Sequence, residues 1–106
     1  MKKDIIDFLR KYVYKKPTDH FKNIDLLSDK EIDFIAEVCK NFLRENIPLG
    51  REFIRLLRPA RREIIVLSSR KYRRKLKKNI LKTLKGLQIL NILIPAALKT
   101  LLNINR

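Results

Sequence analysis

Seven cations fall within nine residues at Arg70-Lys71-Tyr72-Arg73-Arg74-Lys75-Leu76-Lys77-Lys78. The chemistry such a run performs is charge neutralisation. Ammonium and guanidinium groups carry positive charge and hydrogen-bond donors but no acceptor, which suits them to phosphate and carboxylate oxygens. Groups that could break bonds are sparse. The chain has one histidine, His20, in a polar linker, and one cysteine, Cys39, within an apolar helical pattern. It shows no glycine-rich phosphate loop and no second Cys or His to build a metal site. A non-catalytic protein without metal or cofactor is the expectation.

The distribution of charge says more than the net +15. Residues 1–46 hold ten Lys/Arg against nine Asp/Glu, whereas residues 47–106 hold sixteen against two. The second half repels itself unless an anion covers it, and the order of expected partners is nucleic acid, then an anionic membrane surface, then an acidic protein. The expected nucleic-acid site is Arg70, Lys71, Arg73, Arg74, Lys75, Lys77 and Lys78, extended by Arg58, Arg61, Arg62, Lys82 and Lys85. Asn79 is the only Asn or Gln from 47 to 85, so few side chains suit base edges. Backbone binding with weak sequence preference is therefore expected, with DNA and RNA both open. Tyr72 could stack on an unpaired base, but a helical position would turn it inward.

The elements that must position these cations read as helices. Only two Gly and four Pro interrupt long windows of helix formers. Ile5, Ile6, Phe8, Leu9, Tyr12 and Val13 make one face of a first helix over 4–14, stopped at Pro17-Thr18-Asp19. Ser28 with Glu31 fits a capping box, followed by Ile32, Ile35, Ala36, Cys39, Phe42 and Leu43 at helical spacing, with Asn46 and Pro48 as the stop. A third helix spans about Gly50 to Leu57 and restarts at Pro59; the β-branched run Ile64 to Leu67 admits a strand, but no partner strand exists and helix is preferred.

Ser68 or Ser69 then caps the basic helix. With Leu76 at zero and 100° per residue, Tyr72, Ile80, Leu84 and Leu87 lie within roughly 80° as an inward seam, leaving the cations outside. Arg73 and Leu81 do not fit this wheel. Gly86 either ends that helix or thins it for close packing. The apolar tail, residues 87–104, is interrupted by Pro95 and several polar residues, so a membrane span is disfavoured. It could complete the core, form an oligomer interface, dock on a capsid protein, or lie on an anionic membrane.

These patterns predict an all-α, single-domain bundle of about four to five helices over 1–106: a charge-balanced pair at 1–46, a basic region at 47–85 and an apolar tail at 86–106. Cys39 reads as a core residue in a reducing, intracellular compartment. Asp4 and Asp7 break the apolar run that a secretory signal needs.

The segment Ile32-Asp33-Phe34-Ile35-Ala36-Glu37-Val38-Cys39-Lys40-Asn41-Phe42-Leu43-Arg44-Glu45-Asn46-Ile47-Pro48-Leu49, followed by a basic helix, a serine-capped Lys/Arg run and a Leu-rich tail, resembles the small basic proteins of Maverick/Polinton elements and adintoviruses. The resemblance covers roughly residues 28–102 and is one of pattern. It implies a virion-associated or core protein that condenses DNA, found in the nucleus or virion. Members of that group carry a Gly-Gly before the tail, which implies proteolytic processing; this chain reads Leu84-Lys85-Gly86-Leu87-Gln88, with one glycine.

Overall fold

Each helix begins or ends where a local signal dictates, and the computed structural model describes residues 2–13 and 24–104. Helix α1 spans Lys2–Val13 and buries Ile6, Phe8 and Leu9. The stop expected at Pro17–Asp19, and His20, lie outside the described residues. After a 3-10 turn at Ile24–Leu26, helix α2 spans Asp29–Leu43. Both halves of its capping box form. The Glu31 amide donates to Ser28 Oγ at 3.1 Å, and the Ser28 amide donates to Glu31 Oε1 at 2.9 Å. At its other end Glu45 takes a left-handed conformation (φ 61°), and the Glu45 and Asn46 amides donate to the Phe42 and Asn41 carbonyls. This is a Schellman stop with glutamate in the position glycine usually fills.

Helix α3 (Arg51–Leu57) runs into a 3-10 turn at Arg58–Ala60 and then helix α4 (Arg61–Ser68). Pro59 sits in the first turn of that restart, where a missing amide proton costs little. The run Ile64 to Leu67 is helical, and it buries Ile64 and Leu67 at i, i+3 rather than on alternate residues. Helix α5 spans Arg74–Leu81 and helix α6 spans Leu84–Ile104. Among the described residues, every regular element is helical, as the all-α expectation required.

The helices close around one core. Helix α2 packs chiefly on α4, and α1 lies along α6. Ile89, Leu90, Leu93, Ile94 and Ala97 form a buried stripe on α6, facing α1, α2 and α5. By length and composition α6 could cross a membrane, but its buried stripe is part of this core. Truncating a fully enclosed side chain such as Ile35 or Leu93 to alanine removes on the order of 2–5 kcal/mol. Phe8 and Phe34 meet at a ring-centroid distance of 5.9 Å and join α1 to α2.

Gly86 supplies the close approach. A Cβ there would stand 2.1 Å from the Ile80 carbonyl oxygen and 2.6 Å from Leu81 Cα, so α6 could not begin against the end of α5 with any side chain present. Thr83 makes the turn between them. Its Oγ1 donates to the Ile80 carbonyl and accepts from the Gly86 amide at 3.0 Å, capping α6.

The expected basic helix differs in its start and in its phase. Ser69 ends α4 instead of capping a helix, its Oγ accepts the Lys71 amide at 3.2 Å, and residues 70–73 form a non-helical connection. Tyr72 and Leu76 are each 43% exposed and Leu84 is 81% exposed, so these three of the five expected seam residues face solvent, whereas Ile80 packs against the core and Leu87 is half-buried. The inward side carries Leu81, fully enclosed, and Lys77, only 5% exposed. The wheel failed because it ran one helix through two breaks, at 70–73 and at Lys82-Thr83. It also left out the acids of the first half, which pair with Arg74 and Lys82 on the side of α5 and its end that turns toward α2 and the 3-10 turn.

Candidate nucleic-acid interface

The acids that orient α5 come from the charge-balanced half of the chain. Arg74 forms a two-pronged contact with Asp33, Nε to Oδ1 at 3.1 Å and Nη2 to Oδ2 at 2.9 Å, and its Nη1 lies 3.8 Å from Asp29. The Arg74 contact holds the Asp33 carboxyl below the usual carboxylate range, and Asp33 raises the Arg74 guanidinium in turn. Lys82 pairs with Asp25 at 2.5 Å, and Lys78 Nζ donates to the Asp25 carbonyl at 3.3 Å. Lys85 reaches Glu63 at 3.4 Å, while the other Glu63 oxygen is enclosed without a hydrogen-bond partner. Burial pushes the Lys77 ammonium below its ordinary value, with nearby Asp33 opposing the shift.

The twelve expected site residues therefore fall into two groups. Arg74, Lys77, Lys78, Lys82 and Lys85 are committed to the protein itself, by ion pairing, hydrogen bonding or burial. Arg58, Arg61, Arg62, Arg70, Lys71, Arg73 and Lys75 are exposed, and among the described residues their side chains form no ion pair. The first three stand at the start of α4 and the others just beyond its end. Eight residues of helix separate the two clusters by roughly 12 Å.

Two further exposed cations outside the expected set stand on α3, next to the Arg58–Arg62 cluster in the chain. Arg51 and Arg55 are exposed on α3 and unpaired among the described residues. Their spacing to Arg58 and Arg62, at i, i+4, i+7 and i+11, was a helical stripe visible in the sequence. Tyr72 stands in the connection between α4 and α5, flanked by Lys71 and Arg73. It lines a cleft of about 1240 Å³ beside α2, together with Asp33, Lys40, Arg70, Arg73 and Lys77.

Burial in the core pushes the Cys39 thiol up to about 12, so at neutral pH it is neither a thiolate nucleophile nor a ready metal ligand. Among the described residues, no group of three or more His, Cys, Asp or Glu is gathered to hold a metal ion. No family model matches the chain, and neither does any curated protein or solved structure.

Proposed function

We propose that this protein is a non-catalytic binder of nucleic acid that contacts the phosphate backbone with little sequence preference. The observation that carries the proposal is the division of the cations. The fold ties down five of the expected cations, three by ion pairs, Lys78 by a backbone carbonyl and Lys77 by burial, and leaves seven exposed without a counter-charge around the two ends of α4. Duplex DNA carries about one charge per 1.7 Å, so the roughly 12 Å between those ends spans about seven phosphate charges. Arginine and lysine without amide side chains beside them hold backbone and do not read bases. Exposed Tyr72 adds an aromatic face for an unpaired base, which favours single-stranded segments where they are present.

Condensation of packaged DNA, the role the sequence resemblance implies, follows from the same neutralisation and is included in the proposal. The test is equilibrium binding to duplex DNA and to single-stranded RNA across a salt series. A steep linear fall of log affinity with log salt, similar for unrelated sequences, is the expected result. Affinity that is weak at low salt, or that varies little with salt, removes the proposal.

A further inference from the structure

Nucleic-acid phosphate leaves one surface unexplained. Phe53, Ile54, Leu56 and Ile65 are between 42% and 50% exposed, on α3 and α4. Every residue from Arg51 to Leu56 is exposed, and Leu57 alone anchors α3 in the core. Arg51, Arg55, Arg58, Arg61 and Arg62 belong to the same stretch of chain, exposed and unpaired among the described residues, and on α3 Arg51 and Arg55 fall on the side of the helix away from Phe53 and Leu56. Of the two acids in this stretch, Glu63 is paired with Lys85, and Glu52 is exposed at the start of α3, leaving five arginines against one free carboxylate.

We infer that this arginine-and-apolar surface docks the protein on an anionic membrane, lying in the headgroup region without spanning it. A phosphate backbone would satisfy the arginines and leave four large apolar side chains in water. A second copy would cover the apolar groups but set arginines against arginines. An acidic bilayer offers both matches at once, with phosphates at headgroup depth and acyl chains a few ångströms below. The shape also favours a bilayer over an acidic helix seated in a groove. The cleft beside α2 takes none of its lining from residues 51–67, and α3 stands out with one anchoring residue. This inference does not depend on nucleic-acid binding.

The test is co-sedimentation of the full chain with phosphatidylcholine vesicles, with and without phosphatidylserine. Binding to the serine-containing vesicles and not to the neutral ones is expected. The triple variant Phe53→Ser, Ile54→Ser, Leu56→Ser should bind on the order of 100-fold more weakly, because each side chain exposes about half its apolar surface. Arg51→Ala with Arg55→Ala should cost roughly 25-fold, about fivefold for each charge near the surface. All five positions are exposed, so circular dichroism and the thermal midpoint should match the wild type. Failure of the wild type to bind acidic vesicles overturns the inference. So does a triple variant that binds as well as the wild type, because the attraction would then be charge alone or would lie on α6. DNA binding by the triple variant should keep its salt slope, which separates failure here from failure of the nucleic-acid proposal.

Discussion

Removing four cations should have opposite consequences depending on which four are chosen. One variant replaces Arg61, Arg62, Arg70 and Arg73 with alanine, all exposed and without an ion pair among the described residues. The other replaces Arg74, Lys77, Lys78 and Lys82, which bond to Asp33 and Asp25 or lie buried. The charge change is the same, so simple electrostatics predicts equal losses. A cation that meets a phosphate adds about 0.9 to the log-log salt slope on duplex DNA, so the first variant should flatten the slope by up to about 3.6. The second should change the slope by less than about 1, because its cations already have partners and would have to leave them to meet DNA. It should instead lower the thermal midpoint, since Asp25 and Asp33 lose their counter-charges. Fluorescence anisotropy with labelled duplex across a salt series gives the slopes, and circular dichroism melting gives the midpoints. Equal slope changes in the two variants would refute the division of the cations. A larger change in the second variant, with its fold intact, would place the interface on α5.

Three further outcomes follow from particular contacts. Gly86→Ala should destabilise the fold by roughly 1–3 kcal/mol or more in urea unfolding, because its methyl would overlap the Ile80 carbonyl; a neutral result would mean that α5 and α6 do not meet as closely as described. Tyr72→Ala should weaken binding to single-stranded oligonucleotides by about 1–3 kcal/mol, with Tyr72→Phe near wild type and duplex affinity unchanged; equal losses on duplex and on an abasic strand would exclude stacking. Stability should also depend on pH in two windows. Asp4 and Asp33 have lowered folded values, set by Lys30 and Arg74, so their contribution is present above the unfolded carboxylate range near 4 and is lost as pH falls through the folded values. Lys77 is shifted the other way for a base, so the unfolded chain binds more protons and stability rises as pH climbs toward the ordinary lysine range near 10.4. Lys77→Met should abolish that rise and gain about 1 kcal/mol at pH 7, which chemical denaturation at pH 7 and pH 10 will read; a flat wild-type profile above neutrality would contradict the buried ammonium.

The helix boundaries of the first two thirds of the chain were legible because their causes are local. Ser28 and Glu31 lie three residues apart and satisfy each other's backbone partner, so the start of α2 needs nothing from the rest of the chain. Pro59 marks the α3–α4 restart by its own missing amide proton. The stripe at Ile32, Ile35 and Cys39 identified the face that α2 buries, since no other face of that helix is apolar. The phase of α5 was illegible for the opposite reason. Leu76 and Leu81 are equally apolar, and either could have been turned inward. Asp25, Asp29 and Asp33, some forty to sixty residues away in sequence, favour the orientation that buries Leu81 and Lys77.

The amino-acid sequence by itself determined the helical class, the break points before residue 68 and the concentration of positive charge after residue 47, because these depend on propensity, capping and composition within a few residues. Which of those charges are free was decided by the tertiary structure. An ion pair such as Arg74 with Asp33 joins positions 41 residues apart, and no local pattern reports it. The run from Arg70 to Lys78 is continuous in sequence, but folding divides it into Arg70, Lys71, Arg73 and Lys75 on the surface and Arg74, Lys77 and Lys78 held by the protein. The tail from 87 to 104 was apolar enough for a core, an interface or a membrane. Only the stripe it presents to α1, α2 and α5 assigned it to the core.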